Sequence, residues 1–497
     1  MNPVTRRLFL EESMLAATAA LGAAPVLGAA KPPRGPNERI RAAATGVRGR
    51  GLTLGLELVK FGCEVTHVCD ADSAIGRRAV KKIAESQGGR EPMFVQDIRR
   101  IFDDKSIQVV SSATPNHWHA LVAIWAMQSG KDVYIEKPVS HNISEGRRMA
   151  QVARKLGRIC QGGTQRRSVG AMRQAAQFIQ EGKLGTDLIA RCIVHRRRQG
   201  IGPRCEGTVP PTVDYNLWAG PAPMAPVTRK NFHYDWHWLW HYGCGELGNN
   251  GIHRVDMARL GLGVTGLGQA AISYGGRFAW DDAGETPNTQ VAIHDFGDKT
   301  IVQEIRNLPS RGYRRPGGVV FEGTDGYICS SGGGAVLFDP KGKRIRKFDG
   351  PNEHHMANFL KAVRSGNPKD LNAEILEGHQ STALCHLGNI SYRVGRPASP
   401  ADIVKALEAL KGHAARLETF ERLRQHLAAN QIDTAKTPLT LGRLLKIDAE
   451  HERFVGCPEA NALLTRAYRK PFVVPSASEI QPGEPRAVPA LSGEAPA

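Results

Sequence analysis

Aromatic residues make up only 6% of this 497-residue chain, so a core built mainly from large rings is excluded and any dense aromatic run needs its own explanation. The nine cysteines, from Cys63 to Cys457, include no CxxC pair, which excludes zinc-ribbon and thioredoxin-like spacings and leaves no structural metal in the reading. Their odd number leaves room for one or two disulfides in an oxidising compartment. A mature chain of roughly 460 residues can nevertheless stabilise itself by burial, and most of these cysteines lie in apolar runs suited to core packing. There is no long basic run either. Lys and Arg total 66 against 48 Asp and Glu, for a net charge of +18, but they come as scattered groups (Arg77–Arg78, Arg99–Arg100, Arg147–Arg148, Arg166–Arg167, Arg196–Arg197–Arg198), and no nucleic-acid partner is expected. Past the first thirty residues no segment is long and apolar enough to cross a bilayer, so stable membrane insertion of the mature chain is not expected. No internal repeat is evident, and hydrophobic and charged fractions of 41% and 23% are ordinary for a globular protein.

What is present divides the chain into four parts. Thr5-Arg6-Arg7-Leu8-Phe9-Leu10 is a twin-arginine pattern ahead of a weakly hydrophobic, Ala-rich stretch closing on Gly28-Ala29-Ala30. Residues 1–30 therefore read as a Tat export signal, and a periplasmic or cell-envelope location is expected. After a Pro/Gly-rich linker, strands over 39–45, 64–69, 107–113 and 132–135 alternate with helices over 52–61 and 119–129. That alternation implies βαβ units and a parallel sheet, placing a nucleotide-binding Rossmann domain at 38–164. From 165 to 397 a helix over 169–180 and a strand over 188–195 precede a helix over 253–260 and six β-prone segments between 270 and 338. The fold class is thus α/β, an N-terminal Rossmann domain followed by an α+β domain with a large, mostly antiparallel open sheet. A helix over 354–365 is expected to pack back between the two, and 398–497 to form a helical extension with a frayed Pro-rich tail.

Gly46-Val47-Arg48-Gly49-Arg50-Gly51 follows the first strand and opens a helix. It meets the dinucleotide fingerprint at its first and third glycines, while Arg48 stands at the second, where backbone approaches the pyrophosphate. Either Arg48 supplies charge there or Gly49 supplies the close approach. Asp70, at the end of the second strand, is placed to accept from the adenosine ribose hydroxyls and to repel a 2′-phosphate, so NAD is favoured over NADP. Thr114-Pro115-Asn116-His117-Trp118-His119 and Glu136-Lys137-Pro138 both follow parallel strands at their carboxyl ends, where open α/β sheets bind ligands. The run from Phe232 to Tyr242 concentrates aromatics and histidines; ring faces of Trp236 and Trp238 with His237 and Asp235 suit a carbohydrate pocket, and an aromatic core loop is the other reading.

These motifs, with Gly163-Thr164-Gln165-Arg166-Arg167 and Gly248-Asn249-Asn250-Gly251-Ile252-His253-Arg254-Val255-Asp256, resemble the glucose-fructose oxidoreductase / inositol dehydrogenase family, Gfo/Idh/MocA, over roughly residues 40–397. The resemblance implies that Gly46, Arg48, Gly49, Arg50, Gly51, Asp70, Thr114, Asn116, Glu136, Lys137 and Gln165 hold the cofactor. It implies that Lys137 bridges the nicotinamide ribose and the substrate hydroxyl, and that Trp236, His237, Trp238, Asn249, His253 and Asp256 meet a sugar or cyclitol. Asn249 stands where the family usually has an acid and cannot take a proton, so the base role is expected of His253, assisted by Lys137. Asn249 and His253, four apart, fit one helix face. His379 is a further residue expected near the site, and association of copies through the C-terminal sheet is expected. Three functions remain open: an oxidoreductase with tightly held, internally recycled cofactor; a redox-neutral enzyme that cleaves or epimerises a glycoside through transient oxidation; and a non-catalytic binding protein, for which Arg48 and Asn249 argue and against which the intact Glu136-Lys137-Pro138 and His253 argue.

Overall fold

The computed structural model describes residues 39–310, 318–331, 333–410 and 413–480; the twin-arginine segment, its linker and the end of the tail lie outside the described residues. The first sheet is fully parallel, with strands β1 Arg41–Thr45, β2 Glu64–Cys69, β3 Met93–Val95, β4 Val109–Ser112, β5 Asp132–Ile135 and β6 Cys160–Gly162 in the order β3-β2-β1-β4-β5-β6. Strands β4 and β5 are buried throughout, as helices on both faces require. Those helices are α1 Arg50–Lys60, α2 Ser73–Ser86, α3 Arg99–Asp103, α4 Asn116–Gln128 and α5 Ile143–Lys155. The chain reverses direction across the sheet between β1 and β4, which opens a crevice at their carboxyl ends. Helix α4 begins at Asn116 rather than near His119, because Pro115 takes the N-cap position and the motif forms the first turn.

The second domain is a mixed sheet. After α6 Gly170–Gln180 come β7 Leu188–His195, α7 Tyr215–Ala219, α8 Ile252–Leu262, β8 Ala270–Gly276, β9 Thr289–Asp295, β10 Lys299–Arg306, β11 Gly318–Gly323, β12 Gly326–Ser331, β13 Gly334–Phe338 and β14 Arg344–Phe348. Among the described residues only β7 and β10 of this sheet pair in parallel; the other neighbours are antiparallel. The period-two alternation of β10 shows how the sheet is sided: Ile301 and Ile305 face α6, α8 and α10 Ile375–Arg393, whereas Val302, Glu304 and Arg306 face outward. Helix α10 has no apolar stripe, since it is buried nearly all round, and for that reason left no amphipathic signal in the sequence. Helix α9 His355–Ser365 lays Met356, Phe359, Leu360 and Val363 on the Rossmann core.

The extension departs from expectation. It begins with helices α11 Pro400–Glu408 and α12 His413–Ala429, but then β16 Leu439–Leu441 and β17 Leu445–Asp448 join the large sheet beside β8, and β15 Arg396–Ala398 pairs with β16. Ile403, Leu407, Phe420, Leu423 and Leu427 cover Ile272, Tyr274, Val291, Ile293 and Val302 on the outer sheet face. A polar layer lies beside them: Arg191 meets Glu322, Glu418 and Thr419, and Glu304 meets Arg306 and Arg422. The outer face of the central strands is thus occupied by the chain's own helices. The extension then crosses back to the first domain, where Tyr468 bonds Glu145 and Phe472 packs edge-on against Trp118. All nine cysteines are free, and seven are buried in the core.

Candidate active site

The glycine turn is shaped by close approach. Gly46 has φ +66°, and a Cβ there would stand 2.4 Å from the Thr114 nitrogen; a Cβ on Gly51 would stand 2.1 Å from the Gly46 oxygen. Around Gly49, by contrast, the Cβ position is open for 4 Å, at the residue that caps α1. Gly49 therefore offers the close backbone approach, with the first-turn amides of α1 lacking intrahelical acceptors as an anion cradle. Asp70 accepts from the Val47 nitrogen at 2.8 Å and the Asp72 nitrogen at 3.0 Å, which fixes its oxygens at the end of β2. Gly46, Arg48, Gly49, Arg50, Asp70, Thr114, Asn116, Glu136 and Lys137 line one continuous cleft, and this fits a dinucleotide laid from Asp70 across α1 to β5. Burial, opposed by the two backbone amides, raises the Asp70 carboxyl to about 6. Above that pH it is a carboxylate that repels a 2′-phosphate, and below it the repulsion fades. The ratio of NAD to NADP affinity is accordingly expected to drop about tenfold as pH falls through about 6, and equilibrium titration with both nucleotides checks it; a pH-independent ratio, or one unchanged in Asp70→Asn, would show that another group discriminates.

Glu136 organises the far end of the cleft. It accepts from Arg50 Nε at 2.9 Å, Gln165 Nε2 at 2.9 Å and the Lys137 backbone nitrogen at 3.0 Å. Arg50, expected at the cofactor, is thus tied to Glu136 and Glu57 as well as lining the cleft. His119 spans the carbonyl oxygens of Thr114 and Pro138, joining the two strand-end motifs. The Lys137 ammonium donates to the Asn249 carbonyl oxygen at 2.8 Å, with Asn249 Oδ1 at 3.5 Å. Burial lowers the Lys137 pKa, an effect that Glu136 and Glu246 oppose and that Arg198 and Arg196 reinforce.

Asn249 belongs to a π-helical turn, Leu247–Gly251, immediately before α8. The wider turn presents the Asn249 backbone oxygen to Lys137, an arrangement that a simple four-residue spacing does not anticipate. His253 follows at the start of α8 and shares a second cavity with Arg50, Glu136, Lys137 and Gln165. Its Nδ1 is buried without a partner. Burial first, then the positive charges of Lys137, Arg166, Arg254 and Arg50, hold its pKa well below the ordinary histidine value, so its imidazole is neutral. Glu136 and Lys137 therefore form a wall common to both cavities.

The aromatic run serves two purposes at once. Phe232, Trp236, Leu239 and Tyr242 pack with Trp218 into a small core, while Trp236, stacked on His237 at 3.7 Å, lines the cofactor cleft with Leu217, Trp218, His233 and Tyr234. These residues roof the nucleotide side of the cleft from the second domain. The roof is held down by His233 Nε2 to Asp72 at 3.0 Å, the Asp214 nitrogen to the Ala71 oxygen at 2.9 Å, and His117 and the Trp118 indole to the Trp218 oxygen, each at 3.0 Å.

Three expected site residues stand elsewhere. Asp256 is fully buried against Arg167 at 2.8 Å and Ser381 at 2.7 Å and lines neither the cofactor cleft nor the cavity of His253. Trp238 is buried beneath the Arg198 guanidinium rather than on the cleft wall. His379 pairs with Glu452 of the extension at 3.0 Å. Sequence reasoning missed Asp72, whose N-capping of α2 leaves one oxygen for His233, and the only local signal was an acid just ahead of a helix.

Residues 47–164 match a family described as "Oxidoreductase family, NAD-binding Rossmann fold", and residues 203–416 match its "C-terminal alpha/beta domain". Among curated proteins, the chain is 29% identical over 182 residues to a levoglucosan dehydrogenase of Pseudarthrobacter phenanthrenivorans, covering 36% of this chain and 38% of that one. It is 30% identical over 179 residues to a "Glycosyl hydrolase family 109 protein" of Saccharopolyspora erythraea, covering 32% and 39%. The chain thus spans less than half the length of these relatives. A solved structure, "Levoglucosan dehydrogenase, complex with NADH and levoglucosan", aligns with a TM-score of 0.52 at 18% identity over 70% of this chain and 96% of that one, a likeness of fold.

Proposed function

The chain belongs to the Gfo/Idh/MocA oxidoreductase family, and on that premise we propose that it oxidises a hydroxyl of a sugar or cyclitol, using NAD held between its two domains. The carrying observation is the placement of Lys137 and Glu136 in the wall between the cofactor cleft and the cavity of His253. NAD supplies a hydride acceptor. Glu136 orients ribose hydroxyls, and Lys137 takes the proton of the substrate hydroxyl. This reverses the expected division of labour: burial lowers the Lys137 pKa, which favours its neutral, proton-accepting form, and holds that of His253 well below the ordinary histidine value, which makes it a poor base. Neutral His253 and Asn249 then position the hydroxyl.

The roof over the cleft favours a cofactor retained between turnovers, and export as a folded protein, inferred from the twin-arginine segment, is part of the same reading. A closed redox cycle follows, in which a second sugar or the same substrate returns the hydride. The similarity to a glycosyl hydrolase family 109 protein favours a variant of it: oxidation acidifies the neighbouring C–H, elimination breaks the glycosidic bond and releases the aglycone as an alcohol bearing the abstracted proton, water adds to the resulting double bond, and hydride returns to the ketone. Mass spectrometry of denatured periplasmic protein is expected to release about one nicotinamide dinucleotide per chain, with turnover of sugars in the absence of added NAD. Protein that emerges empty and reacts only with millimolar NAD would falsify retention. Sugar release without net NADH would select the redox-neutral form.

A further inference from the structure

The run Lys341-Gly342-Lys343-Arg344-Ile345-Arg346-Lys347 holds five cations in seven residues and no acid, and the basic pairs and triplet that stand out in the sequence leave it out. In the fold it forms the turn after β13 and most of β14, the outermost strand of the large sheet. All seven residues are exposed, and the free edge of β14 has no strand beside it among the described residues. Elsewhere arginines find acids, Arg191 with Glu322, Arg277 with Asp282 and Arg422 with Glu418. None of these five cations has a carboxylate partner among the described residues, and Arg346 lies over the Phe348 ring at 4.8 Å. The flanking acids, Asp339 and Asp349, accept from the backbone nitrogens of Lys343 at 2.8 Å and Gly350 at 2.9 Å. Like charges set side by side cost stability that alternating signs would not, so protection of the edge from other strands, for which charge of either sign serves, does not account for a run of one sign.

Alternation along the strand puts the cations on both faces of the sheet edge. Arg346, opposite Leu337, leans on the face that α6 covers, whereas Lys347, opposite Val336, stands on the other. A planar bilayer meets one face and leaves part of this charge unused. Stacked bases need exposed rings, and Phe348, the only ring in β14, is buried. A flexible chain of anionic sugars needs neither a plane nor a stacking platform. Its carboxylates or sulfates meet lysine and arginine heads along the edge, and Ile345, 56% exposed among them, offers a contact to sugar C–H groups. We infer that β14 is a docking edge for an acidic polysaccharide. It shares no residue with the cofactor cleft or the cavity of His253, and it holds whether or not the proposed oxidation does.

Binding of the full chain to sodium polygalacturonate, dextran sulfate, neutral dextran, single-stranded oligothymidylate and phosphatidylglycerol vesicles tests it. At least one of the two acidic polymers is expected to bind tighter than dextran, DNA and vesicles, and the tighter of the two identifies the anion. That affinity is expected to weaken about tenfold or more between about 50 and 200 mM salt, as counterions compete. Lys343→Gln/Arg344→Gln/Arg346→Gln/Lys347→Gln is expected to lose about tenfold or more of it. Lys81→Gln/Lys82→Gln/Arg90→Gln/Lys105→Gln, which removes the same charge from exposed positions of the first domain, is expected to keep it within a few-fold. Equal losses in the two variants would reduce the effect to the net charge of +18 and overturn the inference. So would binding no tighter than to dextran, or a preference for DNA or vesicles. Should the edge variant not fold, amide hydrogen exchange of the wild type decides: protection gained over residues 341–348 on adding the polymer supports the docking edge, and none there removes it.

Discussion

Lys137→Ala is expected to lower turnover by about 10²- to 10⁴-fold while leaving the nucleotide bound. The substitution removes the one ammonium in the wall between the two cavities, yet Glu136 keeps Arg50 and Gln165 as partners, so the cleft retains its shape. His253→Ala is expected to cost less, because a neutral imidazole orients the hydroxyl but accepts its proton poorly. The pH profile separates the two roles. A base acts when unprotonated, so wild-type turnover rises with pH until Lys137 is neutral, and burial places that limb below the ordinary lysine value of 10.5. Single-turnover kinetics of the loaded protein measure both effects. Activity of the alanine variant within a few-fold of wild type, in folded protein that still carries its nucleotide, would remove Lys137 from the chemistry.

Removing residues 399–480 is expected to abolish soluble, cooperatively folding protein. Ile403, Leu407, Phe420, Leu423, Leu427 and Leu439 are each at most 2% exposed. At about 1.5–3 kcal/mol apiece, their loss forfeits on the order of 10 kcal/mol, comparable with the whole net stability of a domain. The uncovered strands also leave Glu304 and Arg191 without Arg422, Glu418 and Thr419. Soluble yield and a denaturant melt check it, with Phe420→Ala as the milder case, expected to cost about 3–5 kcal/mol. A truncated chain with an unchanged midpoint would mean that the extension is ornamental to the sheet.

The first domain was readable because its determinants are local. Gly46 to Gly51 and Asp70 carry steric and charge requirements that hold within one βαβ unit, and Glu136-Lys137 sits at a strand end that the alternation of elements locates. What stayed illegible depends on contacts far apart in sequence. Asp256 resembles a site acid until Arg167, 89 positions away, claims it. Trp236 and Trp238 look alike in sequence, and the packing of a roof alone decides that one meets the cleft and the other Arg198. The π turn at Leu247–Gly251 leaves no periodic mark at all. The strands in the extension are two to four residues long, too short to alternate visibly, and exist because β8 offered an edge.

The return of the extension to the first domain sets an order of events during synthesis. Both walls of the cleft, through Lys137, His233 and His253, leave the ribosome well before Tyr468 and Phe472 can dock on Glu145 and Trp118. Until then the two domains are held by the chain between them, the packing of α9, the Lys137–Asn249 bond and the roof contacts, without the clamp of the extension, so the angle between them opens more easily to a nucleotide. Once Phe472 is seated, opening that angle must also pull an aromatic ring out of its packing, so the interval before docking is the loading window. If the chain is exported folded, as proposed, nucleotide supply in the compartment of translation, rather than at the place of action, then governs how much of the protein is ever competent.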